Sequence, residues 1–165
     1  RGYIVIFPAA PKGPGGSGGA QLFFQGGERI FPEFLEFILK QHKVRDGKFH
    51  IAGISNGGIS AFHIAALHPS YFISITAFPG FLQKPSDERV KAIFPLCIFM
   101  HVGEFDSLGW EPLIEQEATV LKKVGLKVHF SMEKGQEHRI DTLAGKGAAR
   151  LFDQFAQAER GCPAQ

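Results

Sequence analysis

A chain of 165 residues, 44% of them hydrophobic and 21% charged, is long enough for one compact domain with a sizeable core. Lys and Arg number 18 against 16 Asp and Glu, the two signs are interspersed and the net charge is only +2, so no basic face offers itself to nucleic acid and a small-molecule partner fits better. No apolar run approaches the length of a bilayer span.

The first apolar run, Tyr3 to Phe7, is short, continuous and rich in β-branched residues, and it reads as a strand. After it, Gly13 to Gly27 holds Pro14, Gly15, Gly16, Gly18 and Gly19 close together and reads as a loop at the end of that strand. The loop lacks the Gly-Lys-Ser/Thr ending of a P-loop and does not run into a helix, which argues against nucleotide binding. Phe31 to His42 puts Phe34, Leu35, Ile38 and Leu39 on one stripe with Pro32 in the first turn, as a helix requires. From there strands and helices alternate. Strands are expected at Phe49 to Ala52, Phe72 to Phe78, Leu96 to His101 and Lys127 to Met132. Helices are expected at Asn56 to Leu67, Ser86 to Phe94, Glu111 to Val124 and Thr142 to Glu159. The pattern predicts an α/β fold over residues 1–165: a mostly parallel sheet of about five strands, covered by helices on both faces.

Chemistry concentrates in Phe49-His50-Ile51-Ala52-Gly53-Ile54-Ser55-Asn56-Gly57-Gly58, a strand that runs through G-x-S-x-G into a helix. A serine at such a turn is held in a strained conformation above the sheet edge. Glycine is expected on both sides of it, at Gly53 and Gly57, because a Cβ there would strike the neighbouring strand or helix. The Asn56 N–H then lies at the helix N-terminus, where it can stabilise an oxyanion.

A serine hydroxyl is a weak nucleophile until a base takes its proton. Seven histidines compete for that role. His50, His101 and His129 fall in strands, His42 ends a helix, and His63 and His68 belong to the helix after the serine, so each has a packing or surface explanation. His138 instead follows the last strand, in Gly135-Gln136-Glu137-His138, on a loop before the final helix. The acid that orients it is expected after the preceding strand, in Val102-Gly103-Glu104-Phe105-Asp106. Asp106 is the first candidate and Glu104 the second. Ser55, Asp106 and His138 thus stand in the order Ser, Asp, His, each just past a strand end. Phe78, Phe81, Leu82, Leu108 and Trp110 would give the site an apolar wall.

Cys97 lies inside an apolar run and Cys162 near the C-terminus; with no metal-ligand spacing they read as ordinary thiols. Sparse cysteines and the lack of a leader segment point to the cytoplasm, although the chain begins at Arg1 and not at Met.

The segments Gly53 to Gly58, Gly103-Glu104-Phe105-Asp106, Gly135 to His138 and Phe7-Pro8-Ala9-Ala10-Pro11 resemble the α/β-hydrolase superfamily, within it the phospholipase/carboxylesterase and dienelactone-hydrolase branch, with some similarity to polyester-depolymerase-like esterases. The resemblance implies hydrolysis of a carboxylic ester or thioester through an acyl-enzyme, with no metal or organic cofactor. It also implies an earlier strand ending in a His-Gly loop that supplies the second oxyanion N–H, and no such segment precedes Tyr3. Either the chain is a fragment of a longer hydrolase, which is the expectation, or the first strand takes the inner slot and Ala9 or Ala10 offers that N–H. The alternatives to a hydrolase are an acyltransferase using the same three residues and a noncatalytic relative that binds a ligand or partner.

Overall fold

The structure, a computed structural model, describes residues 2–8 and 30–163. Strands β1 (Phe49–Gly53), β2 (Phe72–Ala77), β3 (Cys97–Gly103) and β4 (Lys127–Glu133) form one sheet in the order β1-β2-β3-β4, and every neighbouring pair is parallel. Parallel neighbours need crossovers. Helix α1 (Phe31–Gln41) precedes the sheet, α2 (Asn56–Leu67), α3 (Asp87–Ala92) and α4 (Glu111–Lys123) make the three crossovers, and α5 (Ala149–Glu159) follows.

Alternation along β3 sorts the two faces of the sheet. Ile98, Met100 and Val102 enter the larger core with Leu35 and Ile38 of α1, Phe62 and Ala65 of α2 and Ile114 and Leu121 of α4. Cys97 and Phe99 enter a smaller core with Ala158 of α5. Coverage on both faces explains why β3 is buried at all seven residues and reads as a continuous apolar run. Each fully buried Ile, Val or Phe contributes roughly 1.5–3 kcal/mol. These cores fix the strands, and the strands fix where their C-terminal ends emerge.

Three expectations are corrected. Tyr3 to Phe7 is not a strand; among the described residues the sheet has four strands, close to the five or so expected. Ile4, Val5 and Phe7 are exposed, while Tyr3 is anchored by stacking on Phe152 at 5.6 Å and by donating to Glu159 Oε1 at 3.0 Å. An apolar β-branched run states a preference for extended backbone; pairing also needs a strand edge in register, which the run itself does not encode. Second, α5 begins at Ala149 and not at Thr142, after two short 3₁₀ turns at Asp141–Leu143 and Gly145–Ala148. Gly145 sits at φ 53°, which breaks a right-handed helix there. Third, the cysteines are not free thiols: Cys97 and Cys162 form a disulfide across 65 residues with Cα atoms 5.7 Å apart. Its partners meet only because α5 returns its C-terminal end to the start of β3, and the bond removes the cysteine ground for a cytoplasmic location. Ala9, Ala10 and the glycine-rich loop lie outside the described residues. No helix among the described residues is long and apolar enough to cross a membrane.

Candidate active site

Ser55 ends the β1 turn and caps α2 with φ 54° and ψ −120°, a conformation that costs a residue with a Cβ about 1–3 kcal/mol. The turn is clamped by the segment leaving β2. The Ser55 N–H donates to the Pro79 carbonyl at 2.8 Å and the Phe78 N–H to the Gly53 carbonyl at 3.0 Å. A Cβ on Gly53 would stand 2.2 Å from the Gly57 carbonyl, so only glycine fits there. Gly57 departs from expectation, since a Cβ on it would meet nothing within 4 Å. The second enforced glycine is Gly58, where α2 crosses the post-β2 segment and a Cβ would stand 2.3 Å from the Pro79 carbonyl oxygen. The tight-packing residue is therefore one step further into the helix than the G-x-S-x-G pattern suggests.

Asp106 follows β3 in a turn closed by its own N–H to the Gly103 carbonyl at 3.2 Å. Its carboxylate is fully buried; Oδ1 accepts the Leu108 N–H at 2.9 Å and Oδ2 accepts from His138 Nδ1 at 2.8 Å. An ionised carboxylate only accepts, so the proton sits on Nδ1 and leaves Nε2 as an acceptor. The Ser55 hydroxyl lies 2.8 Å from that Nε2 and donates to it. Residues 55, 106 and 138, separated by up to 83 positions, are thereby joined in one line of hydrogen bonds at the C-terminal rim of the sheet.

The loop carrying His138 is tied to the end of β3. The Glu104 N–H donates to the Glu133 carbonyl at 3.0 Å and the Phe105 N–H to the Gln136 carbonyl at 2.8 Å. Glu104, the second candidate acid, accepts the Gly135 N–H at 2.9 Å and so holds the loop, not the imidazole. Trp110, just before α4, packs edge-on against the His138 ring at 5.0 Å, and Phe81 packs edge-on against Trp110 at 5.1 Å. These rings keep bulk water from one side of the imidazole. Of the expected apolar wall, Leu82 is instead buried in the core and Leu108 is exposed. Asn56 is the first residue of α2, so its N–H is one of the helix donors without an intrahelical acceptor, at the positive end of the helix.

Four of the other histidines are engaged elsewhere. His50 contacts Ser74 and Glu159, His63 contacts Arg89, His101 contacts Glu133 and Gln154, and His129 contacts Cys162. Glu133, invisible as a site residue in the sequence, is buried at the end of β4 and accepts from His101, Ser131, Thr142 and both terminal nitrogens of Arg150. The His101 and Arg150 hydrogen bonds, with that of Ser131, outweigh burial and hold its carboxyl far below the usual carboxylate range. Glu117 of α4 accepts the Leu82 N–H at 2.8 Å, and burial pushes its carboxyl up to about 7 against that hydrogen bond. Among the described residues, the cluster of His, Cys, Asp or Glu groups able to hold a metal is Cys97, His129 and Cys162, at the opposite end of the sheet.

Neither known family models nor curated protein sequences match the chain. Solved structures do. A predicted CIB-like hydrolase from Thermoplasma acidophilum superposes with a TM-score of 0.59 at 18% identity, over 81% of this chain and 61% of that one. A ferulic acid esterase superposes with a TM-score of 0.63 at 17% identity, over 83% of this chain and 61% of that one. At such identity the likeness shows the fold, and the chain spans about three fifths of the length of these structures.

Proposed function

We propose that this α/β-hydrolase fold carries a serine hydrolase in residues 1–165 that cleaves a carboxylic ester or thioester through an acyl-enzyme. Ser55 Oγ attacks the carbonyl carbon while His138 Nε2 takes its proton. The resulting imidazolium is stabilised by the Asp106 carboxylate on Nδ1. The tetrahedral oxyanion forms beside the Asn56 N–H, where the α2 N-terminus favours negative charge. His138 then gives the proton to the leaving oxygen or sulfur, and water, deprotonated by the same nitrogen, releases the acid and restores Ser55. No metal or organic cofactor enters these steps. Phe81 and Trp110 favour an apolar acyl group, and an ester as substrate accords with the ferulic acid esterase neighbour.

The observation that carries this reading is the His138 ring, 2.8 Å from Ser55 Oγ on one side and 2.8 Å from Asp106 Oδ2 on the other. The strained φ of Ser55 adds to it, since a turn held at such cost accords with a nucleophile projected from the sheet edge. A fluorophosphonate probe tests it. Covalent labelling of the folded chain should map to Ser55 and vanish in Ser55→Ala and His138→Ala; labelling at another residue, or none, would end the reading.

A further inference from the structure

The disulfide end of the sheet holds a second constellation, independent of the hydrolase reading. In the β3–β4 register Cys97 faces Lys127 and Phe99 faces His129, so Cys97 and His129 are two positions apart and share one face of the sheet. That face is the one α5 covers, and α5 ends by delivering Cys162 onto it. One ligand atom from each of Cys97, His129 and Cys162 lies within 4.8 Å of the others, and His129 Nε2 is 3.3 Å from Cys162 Sγ.

Each of the three is positioned by something other than the sulfur–sulfur bond. Cys97 is the first residue of the fully buried β3. The His129 ring is fixed by stacking on Phe99, with centroids 5.0 Å apart and planes 20° from parallel. Cys162 is placed by the turn that closes α5, in which the Gly161 N–H donates to the Ala158 carbonyl at 3.0 Å and the Cys162 N–H to the Gln157 carbonyl at 3.1 Å. The thiols produced by reduction would therefore stay beside the imidazole.

We propose that reduction of the Cys97–Cys162 bond by a dithiol converts this end of the sheet into a Cys₂His site for one ion of the Zn²⁺ type. The dithiol supplies two electrons and two protons and is itself oxidised to a disulfide; Cys97 and Cys162 become thiols. The incoming ion displaces both thiol protons and binds two thiolate sulfurs and His129 Nε2. Its charge is cancelled by the thiolates, so the buried site carries no net charge. Two sulfurs bonded at about 2.3 Å to a tetrahedral ion stand about 3.8 Å apart, so the two sulfurs, now bonded to each other, would move apart to admit the ion. A cavity of about 400 Å³ borders Cys97 and Cys162, giving a reductant its approach and a water molecule the fourth ligand position. The oxidised chain and the metal-loaded chain would each fasten the end of α5 to β3, one by a covalent bond and the other by an ion.

Co²⁺ reports such a site directly. After phosphine reduction and removal of the reductant, the chain should take up one equivalent of Co²⁺ with a sulfur-to-metal charge-transfer band, and one equivalent of Zn²⁺ should discharge it. The unreduced chain and the Cys97→Ser, Cys162→Ser double variant should show no such band. His129→Ala should weaken uptake by about tenfold or more. Should that variant lose its far-ultraviolet circular dichroism, His129→Gln repeats the measurement with a side chain nearer in size. Absence of the band in the reduced chain, folded or not, overturns the proposal, and so does uptake as tight without the imidazole as with it.

Discussion

Two of the histidine–carboxylate pairs among the described residues have nearly the same geometry: His138 Nδ1 to Asp106 at 2.8 Å, and His101 Nδ1 to Glu133 at 3.0 Å. They differ in what the far ring nitrogen meets. His138 Nε2 receives a serine hydroxyl at a rim open to solvent, with 19% of its side chain exposed. His101 Nε2 receives the Gln154 amide at 2.9 Å inside the protein, with 2% of its side chain exposed. The carboxylates differ as well. Asp106 serves one imidazole and one backbone N–H, whereas Glu133 is saturated by a histidine, two hydroxyls and a bidentate arginine that tie β3, β4 and α5 together. A histidine and a carboxylate in contact make a structural clasp by default; a reactive third group and access to substrate make them more.

Substitution of the two carboxylates separates those roles most sharply. Asp106→Asn should lower turnover by about ten-thousandfold, because the amide no longer holds the proton on Nδ1, while the thermal midpoint stays close to the parent's. Steady-state kinetics and a melting curve on the same sample check both halves. Glu133→Gln should do the reverse, destabilising the fold by about 2–4 kcal/mol through the buried bonds it weakens to His101 and Arg150, with little change in turnover per folded molecule. The deficit should depend on pH. The Glu133 carboxyl titrates far lower in the folded chain than its unfolded value of about 4.3, so its stabilisation is complete above that value and is lost as pH falls below it. Denaturant melts of parent and variant should therefore converge in acid, and a gap that held constant would show that Glu133 acts by shape and not by charge.

A third carboxylate, half-buried, sharpens the comparison by carrying the opposite sign. Burial of Glu117 outweighs the one backbone N–H that it accepts, so its carboxyl rises to about 7. Between its unfolded value and 7 the folded chain holds a proton that the unfolded chain releases. Stability conferred by this group is thus present in acid and declines as pH rises through that window. Glu117→Gln should match the parent near pH 4 and exceed it by up to about 3 kcal/mol at pH 8, measured by urea unfolding at both values. Equal pH dependence in parent and variant would mean that water reaches the carboxyl.

What the sequence disclosed and what it withheld divide along the same line. Strand–turn–helix punctuation around Ser55, and the placing of Asp106 and His138 just past strand ends, are local patterns of apolar period and turn residues. A parallel sheet brings consecutive strand ends to one rim, so those patterns suffice to bring the three side chains near one another. The His101–Glu133–Arg150 clasp, the Cys97–Cys162 bond and the Leu82–Glu117 contact join residues 17 to 65 positions apart inside the fold, and no spacing announces them. The fate of Tyr3 to Phe7 belongs with these, because pairing depends on a neighbour and not on the run itself. The motif misled at one point only, in assigning the crowded position to Gly57.

That point yields the smallest expected effect. Gly57 lies on the exposed side of α2, its φ is outside the left-handed region, and a Cβ added to it meets nothing within 4 Å. Alanine there keeps the backbone the helix already has and narrows the unfolded ensemble, so Gly57→Ala should be neutral or stabilising by up to about 1 kcal/mol. Gly58 offers the internal contrast, since its Cβ would lie 2.3 Å from the Pro79 oxygen, the same carbonyl that accepts the Ser55 N–H. Crowding at that carbonyl reaches Ser55 through one hydrogen bond, whereas crowding at Gly57 reaches nothing. A Gly57→Ala chain that melts earlier than the parent would therefore mean that α2 starts in a tighter setting than this turn provides.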